Sequence, residues 1–271
     1  MGLPSAARAF NDLSGVYDET RSPPDPATVT RVVGAFREAS VGSLLEVGVG
    51  TGRFAGPLSE AGLGVTGVDA ARRMMERARA KGVARLVQGS AQRLPFRDLA
   101  FDAALFVHVL HILDRPAPAL AEAGRVSRVG VYALLTPSST APGTQPREDS
   151  ALRLLREDLV AHGYPARERA RSPGQREAEL LSQYPPDETI SVADREVTEP
   201  VAKRLEMVAR RASRHFREVP PELLDPAIDR VRAQLADRTH TYRHREMLVR
   251  WRPTRWLETK PADPTVRTGA P

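Results

Sequence analysis

The sequence contains no cysteine. This absence excludes disulfides, thiolate metal sites and a cysteine nucleophile, and it is typical of a reducing compartment, so we expect a cytoplasmic location. Long apolar runs are missing too: none approaches the roughly 20 residues that a membrane span needs. Residues 1–19 lack a basic segment followed by an apolar core, which predicts no signal peptide. We expect no membrane association.

Lysine is nearly absent, since Lys81, Lys203 and Lys260 are its only occurrences, and arginine carries almost all the positive charge. The formal net charge of +6 raises nucleic acid as a partner. The arginines are interleaved with Asp and Glu instead of forming one dense block, which disfavours such a partner. With 41% hydrophobic and 27% charged residues over 271 positions, the composition is that of an ordinary globular chain with a substantial core.

Short apolar runs alternate with helical patterns in the first half of the chain. Five runs predict strands: VGSLLEV, VTGVD, ARLVQG, FDAALFV and VGVYALL. Helices of about 10 to 15 residues separate most of them, which indicates βαβ units and a parallel sheet covered on both faces. Asp25 and Pro26 predict the start of an amphipathic helix before the first strand. With right-handed crossovers, the fold class is a doubly wound α/β sheet.

The pattern changes after Thr136, where a polar, proline-rich loop is predicted. A helix capped by Ser150 follows, and ETISVADREV predicts a further strand. Two longer amphipathic helices are expected between about Thr198 and Ala236, and EMLVRWR predicts the final strand. The segment from Pro253 onward is expected to be a loosely attached tail.

Three glycines form a turn after the first strand. Gly48, Gly50 and Gly52 lie at every second position in an E-x-G-x-G-x-G pattern that begins at Glu46. A dinucleotide fingerprint would need a glycine at Arg53, and a Walker loop would need a lysine, so both phosphate-binding interpretations are disfavoured. Ligands of open α/β sheets bind at the carboxyl ends of the strands, where this turn lies.

Asp69 ends the second predicted strand, in GVDA. In this architecture a carboxylate at that position faces the two ribose hydroxyls of a nucleotide ligand, and it can accept hydrogen bonds from both. The expected ligand is therefore a nucleoside without a pyrophosphate.

Four segments in order resemble the successive motifs of class I S-adenosylmethionine-dependent methyltransferases. They are LLEVGVGTGRF, VTGVDAARRMMERAR, VQGSAQRLPF and FDAALFVHVLHIL, and they are similar to the methyltransferase type 11 group. The resemblance covers residues 44–135. It implies a Rossmann-like sheet of seven strands, with a helical insertion before an antiparallel last strand. It also implies methyl transfer from S-adenosylmethionine to an O, N or C atom of a small molecule.

The resemblance further implies roles for individual residues at the cofactor site. Glu46 would orient the methionine amino group and Asp69 would bind the ribose hydroxyls. The other implied contacts are Gly48, Gly50 and Gly52 under methionine and ribose, Ala70 with Met74 or Met75 beside adenine, Ser90 and Ala91 at the adenine edge, Val107 and His108 over the cofactor, and Tyr17 and Arg21 in a lid. In this family an acidic residue is common where Ser90 stands, which predicts weaker adenine binding. The link SRVGV also replaces the usual R-P-G-G.

His108, just past the fourth strand, is the candidate general base. Packing against the cofactor or hydrogen bonding to the backbone is nevertheless the favoured role of His108, and His111 is expected to be structural. A metal bound by these two and Asp114 is disfavoured because a third convergent ligand is not evident. His240 and His244 are expected to be ordinary surface residues.

One domain is expected over residues 1–252, followed by a tail, 253–271. Within it we predict an N-terminal lid at 1–26, a cofactor-binding core at 27–137, and substrate or lid helices at 138–186 and 198–238. The expected partner is a small-molecule acceptor, and the chain is expected to be a monomer or homodimer. The alternatives are an RNA or protein methyltransferase and a non-catalytic S-adenosylmethionine-binding protein. An NAD-dependent oxidoreductase is disfavoured by Arg53.

Overall fold

The structure is a computed structural model that describes residues 5–21, 23–136, 150–165, 173–210, 216, 218–235 and 238–256. Within these residues, one sheet is formed by the strands β1 (Ser43–Val47), β2 (Gly64–Asp69), β3 (Leu86–Gln88), β4 (Phe101–Val107), β5 (Ser127–Leu135), β6 (Glu188–Pro200) and β7 (Thr239–Trp251). Their order is β3-β2-β1-β4-β5-β7-β6. The first five strands are parallel, and β7 is antiparallel to both of its neighbours. The predicted fold class is confirmed.

The helices are α1 (Ser5–Leu13), α2 (Pro26–Glu38), α3 (Ala55–Glu60), α4 (Arg72–Ala80), α5 (Pro116–Val126), α6 (Ser150–Ala161), α7 (Pro173–Gln183), α8 (Lys203–Ala209) and α9 (Pro221–Gln234). As predicted, the side chain of Asp25 caps α2 by accepting from the Ala27 amide at 2.9 Å. None of the helices in the described part of the chain is long and apolar enough to cross a bilayer. The predicted tail, 253–271, begins with a 3-10 turn at Pro253–Trp256 that lies against α5 and β5, so the expectation of loose attachment is wrong for these first residues. Residues 257–271 lie outside the described residues.

Two apolar clusters cover the two faces of the sheet. On β1, Leu44 belongs to the cluster that also contains Phe36 of α2, whereas Leu45 and Val47 belong to the cluster that contains Trp251 of β7. All five residues are completely buried. This burial on both faces explains why the strands read as continuous apolar runs in the sequence.

A third apolar cluster joins α6, α8 and α9 and lies apart from the two sheet clusters. It corresponds to the predicted helical insertion, but the predicted start of the first helix is wrong. Thr198 lies in β6, opposite Thr241 of β7, and their hydroxyl oxygens are 2.7 Å apart. Cross-strand pairing of β-branched residues prevails there, and α8 begins only at Lys203. The 198–238 segment thus starts with strand.

A carboxylate ties three strands together at the amino edge of the sheet. Asp102 Oδ2 accepts from the amides of Gly42 and Ser43 and from the Ser43 hydroxyl, at 2.8–3.0 Å. Its Oδ1 accepts from Arg128 of β5 at 2.8 Å. Burial alone would raise the pKa of Asp102, but these bonds outweigh it and hold the pKa well below the usual range. The carboxylate therefore stays ionised and bonded at the edge opposite the predicted site.

Candidate functional site

The glycine turn between β1 and α3 has a backbone that side chains would obstruct. Gly48, Gly50 and Gly52 have φ values of +76°, +55° and +76°, in the left-handed region. A Cβ on Gly48 would lie 2.6 Å from Val109 Cγ2. At Gly50 the nearest atom is Met74 Cε, at an ordinary contact distance of 3.7 Å. The backbone at Gly50 is therefore open to an approaching ligand.

A cavity of about 240 Å³ lies against this turn. It is bounded by α1 and the turn that follows it, by the carboxyl ends of β2 and β4, and by the loop after β3. Of the sequence-predicted site residues, those that line the cavity are Tyr17, Gly48, Gly50, Asp69, Ala70, Met74, Ser90, Ala91, Val107 and His108. Residues that line it without having been predicted as contacts are Ala7, Phe10, Val68, Gly89, Gln92, Val109, Ile112, Leu113 and Asp114.

Four other candidates do not line the cavity. Gly52 faces the interior, where an added Cβ would lie 2.8 Å from Val83 Cγ2, so its missing side chain permits close packing. Met75 belongs to the apolar cluster that contains Phe36 of α2, so Met74 is the methionine that lines the cavity. Arg21 lies with its guanidinium carbon 5.5 Å from the centroid of the Tyr17 ring. Glu46, the fourth, is described below.

The Asp69 carboxylate is fixed by backbone amides at the carboxyl end of β2. Its Oδ2 accepts from the Gly50 amide at 2.8 Å, and its Oδ1 accepts from the Ala71 amide at 2.7 Å. Burial raises the pKa of Asp69, and the amide bonds oppose this shift. Each carboxylate oxygen has a second lone pair, so both can still accept from a ligand in the cavity.

Glu46 is a buried carboxyl beside this site. It is 2% exposed, and its Oε2 has no hydrogen-bond partner in the described part of the chain. Burial raises its pKa to about 8, the charge of Asp69 adds to the rise, and Arg53 opposes it. A buried acceptor without a partner is costly in a folded protein and calls for an explanation, such as a ligand that supplies a donor.

The segment after α1 closes one side of the cavity. The rings of Phe10 and Tyr17 meet edge to face, with centroids 6.1 Å apart. Asp18 anchors the segment, because its carboxylate accepts from the Thr51 hydroxyl at 2.6 Å and pairs with Lys81 at 2.6 Å. Thr51 belongs to the glycine turn, so this anchor connects the predicted lid directly to the predicted binding loop.

The histidines occupy two different environments. His111 Nδ1 is 2.9 Å from the buried Glu177, a pairing that fixes α7 and supports the predicted structural role. His108 and His244 both approach Glu246 of β7. The prediction of His244 as an ordinary surface residue is wrong, since its side chain is 24% exposed and paired. The side chain of His240 lies outside the described residues.

Glu246 is the functional candidate that the sequence did not reveal. It lies on the final strand, 138 positions after His108, and only the register of β7 beside β5 brings the two together. In the portion of the chain that the structure describes, no group of three or more His, Asp or Glu residues is arranged to hold a metal ion.

Comparison with known proteins identifies the region that carries this site. A family model described as a methyltransferase domain matches residues 45–135. An uncharacterized methyltransferase of Mycobacterium bovis is 33% identical over 125 residues, which cover 45% of this chain and 49% of that protein. A demethylmenaquinone methyltransferase of Renibacterium salmoninarum is 32% identical over 129 residues, covering 46% and 54%. The chain thus spans about half the length of these curated relatives.

Solved structures share the fold at low sequence identity. The YcgJ protein of Bacillus subtilis has a TM-score of 0.51 and 18% identity, and the match covers 82% of this chain and 96% of that one. The 4+2 cyclase SpnF has a TM-score of 0.50 and 15% identity, covering 92% and 97%. These likenesses concern the fold alone. Residues 45–135, the part of the chain that matches the methyltransferase domain, contain the glycine turn and Asp69.

Proposed function

We propose that this chain transfers a methyl group from S-adenosylmethionine to an oxygen, nitrogen or carbon atom of a small molecule. The observation that carries the proposal is the cavity in which the open backbone at Gly50 faces the amide-fixed carboxylate of Asp69. A carboxylate there suits the two ribose hydroxyls, and the turn lacks the features that bind a pyrophosphate. A nucleoside with a compact tail therefore fits better than a dinucleotide.

Glu46 supports the sulfur nucleoside over other nucleosides. Its Oε2 is buried and lacks a partner among the described residues, and the ammonium of a methionine moiety is a donor that would satisfy it. Around the base, Ala70, Met74 and Ala91 offer apolar contacts and Ser90 a hydroxyl. The Ser90 hydroxyl accepts from the Gln92 amide at 3.2 Å and retains its own proton to donate to a ring nitrogen.

The lid is the second part of the proposed site. Phe10 and Tyr17 would cover the bound nucleoside, with Arg21 stacked behind Tyr17. The cavity volume of about 240 Å³ lies slightly under the ~300–1,000 Å³ usual for ligand clefts. A lid that withdraws to admit the ligand and then closes accounts for this size.

The sulfonium supplies an activated methyl group, so the chain's own contribution is mainly to position the acceptor. Alignment of the reactants can contribute several kcal/mol to such a step, on the order of 7–11 kcal/mol at best. His108 lines the cavity after β4 and is the candidate base for an acceptor that carries a proton. The helices α6 and α7 of the 138–186 segment and α8 and α9 of the 198–238 segment would supply the acceptor pocket.

A second candidate function is use of the cofactor pocket without methyl transfer. The fold neighbour SpnF is named as a cyclase, and one fold supports more than one reaction. An RNA or protein acceptor is less favoured, because acidic and basic residues are interleaved along the chain, with 34 against 40 in total.

The test is calorimetric titration with S-adenosylmethionine, S-adenosylhomocysteine and NAD. We expect micromolar binding of the first two and none of NAD. Asp69→Asn should weaken binding by about 1–3 kcal/mol, roughly 5- to 150-fold in Kd, because a charged acceptor for the ribose is lost. Asp229→Ala, at an α9 side chain that is 76% exposed, is the matched control and should bind normally.

The outcomes separate the candidates. Failure of the wild-type protein to bind either sulfur nucleoside would refute the cofactor assignment. If both bind, release of S-adenosylhomocysteine is measured with panels of phenols, alcohols, amines and carbon acids. Tight binding with no release on any acceptor would favour the second candidate function.

A further inference from the structure

Glu246 of β7 stands between two histidines and a threonine. Its Oε1 is 3.6 Å from His108 Nε2 and 3.7 Å from His244 Nε2, which is ion-pair range for both rings. Its Oε2 accepts from the Thr28 hydroxyl of α2 at 3.0 Å. The carboxylate is 13% exposed. Three separate segments of the chain therefore converge on one shielded carboxylate.

The backbone of His108 is held in an uncommon conformation. Its φ is +52°, in the left-handed region that residues other than glycine seldom occupy. Its amide donates to the Leu134 carbonyl of β5 at 3.2 Å. Strained residues persist where the surroundings fix them, and they concentrate at functional sites. Here the strain directs a ring that both lines the cavity and approaches Glu246.

The charge of Glu246 is secured by its neighbours. Burial alone would raise its pKa, but the contacts with His108 and His244 outweigh burial and hold the pKa well below the usual range. The nearby Arg243 and Arg245 are instead paired with Asp194 of β6. Glu246 is therefore an anion that is available to the two rings and to Thr28.

An anion beside Nε2 determines which nitrogen of the ring is basic. It favours the tautomer with the proton on Nε2, and the lone pair then lies on Nδ1. A base oriented by a third group in this way is the arrangement by which proteins activate acceptors that hold a proton. His244 and Thr28 bind the same carboxylate and limit its movement.

We propose that Glu246 is a positioning residue that orients His108 as general base, and that the methyl acceptor is a hydroxyl or N–H group whose reacting atom loses a proton. This inference rests on the proposed function. In the step, a lone pair of the acceptor atom forms the bond to the methyl carbon while the carbon–sulfur bond breaks and its electrons stay on sulfur. The acceptor's proton passes to His108 Nδ1.

The first test needs no acceptor. Diethyl pyrocarbonate acylates neutral imidazoles, and mass spectrometry measures the rate at each histidine at pH 8, where free imidazole side chains are neutral. We expect Glu246→Gln to slow the reaction at His108 by about threefold or more, because a basic nitrogen loses its anionic partner. The internal reference is His162, which follows α6, pairs with Asp158 and is 50% exposed, and the matched control is Glu196→Gln on β6.

His244→Asn distinguishes charge from general disruption. If the carboxylate activates His108, removal of its competitor leaves the rate at His108 unchanged or faster. If the substitutions act only by loosening the packing of β7 against β5, Glu246→Gln and His244→Asn change the acylation rate at His108 in the same direction. Equal rates in the wild type and Glu246→Gln, with both folded by circular dichroism, would overturn the proposal.

Turnover gives the second test once a panel acceptor reacts. Glu246→Gln should lower kcat about tenfold or more with little change in KM, and Glu246→Asp should restore part of the loss. A change in KM alone, or turnover of acceptors without a proton at the reacting atom, would overturn the proposal. Binding of S-adenosylhomocysteine is measured on the same variants. If the wild-type protein does not bind S-adenosylhomocysteine, the proposed function is refuted, whereas the acylation rates still test the interaction between His108 and Glu246.

Discussion

Binding of S-adenosylhomocysteine is expected to release a proton from Glu46. Burial raises the pKa of this carboxyl to about 8, so at pH 7 it is protonated in about nine molecules out of ten. An ammonium placed beside Oε2 favours the ionised carboxylate. If the ion pair brings the pKa well below 7, binding releases about 0.9 proton, or about 0.5 if the pKa of the free protein is nearer to 7.

The assay is calorimetry at pH 7 in phosphate, HEPES and Tris, which differ in ionisation enthalpy. The slope of the observed enthalpy against the buffer enthalpy gives the number of protons released. Glu46→Gln keeps the size of the side chain but has no proton to release, so its slope should be near zero at pH 7. At pH 9 the wild type and Glu46→Gln should give the same slope, because Glu46 is then already ionised in the free protein and proton uptake by the ligand's amino group, which titrates at about pH 8, is common to both.

Binding with no buffer dependence in the wild type at pH 7 would refute the reasoning about Glu46. An equal slope in wild type and Glu46→Gln at pH 7 would assign the proton to another group. Asp69 would be the first to examine, because burial raises its pKa as well.

Three further predictions concern stability and the lid. Because the folded-state pKa of Glu46 lies above its unfolded value of ~4.3, the free energy of unfolding should fall as pH rises from there to about 8, by at most about 1.4 kcal/mol per unit, and Glu46→Gln should remove this slope in urea titrations. Gly48→Ala should destabilise by at least about 1–2 kcal/mol, from its positive φ and the contact with Val109, whereas Gly56→Ala in α3 should stabilise by about 0.5–1 kcal/mol. Asp18→Asn should speed amide hydrogen exchange in α1, because the anchor to the glycine turn is weakened.

Each of these three predictions would be contradicted by a specific result. A pH slope of stability that persists in Glu46→Gln would place the titration elsewhere. Equal stability changes for alanine at positions 48 and 56 would mean that the turn tolerates a side chain. Unchanged exchange in α1 would show that packing of Phe10 and Tyr17, rather than the carboxylate of Asp18, holds the lid.

Local signals predicted the cofactor half of the molecule well. The run FDAALFV predicted β4 to the residue, Phe101–Val107, because a strand buried on both faces must be continuously apolar. PAPALAEAGRV predicted α5 equally well, since Pro116 fits the first turn of a helix. The segment SRVGV, predicted as the link before the fifth strand, instead lies within β5, which begins at Ser127 directly after α5 ends.

Long-range contacts could not be predicted in the same way. Alternation within β7 shows which of its residues share a face, but not that Glu246 meets His108 across the sheet. The local sequence around Thr198 does not distinguish helix from strand. Its conformation is set by pairing with Thr241 on β7, which is 43 positions away in the sequence. For Glu46 the sequence suggested a ligand contact, yet the isolation of its Oε2 depends on burial by surrounding elements.

The two ends of the central strands carry carboxyl groups with opposite pKa shifts: the pKa of Asp102 at the amino edge is lowered and that of Glu46 near the carboxyl edge is raised. Asp102 keeps its charge throughout the pH range in which proteins are stable, so the amino ends of β1, β4 and β5 stay bonded regardless of ligand or proton. Burial instead raises the pKa of Glu46, on the same β1, to about 8. Glu46 can therefore gain or lose a proton while the hydrogen bonds of Asp102 at the amino ends of these strands stay unchanged.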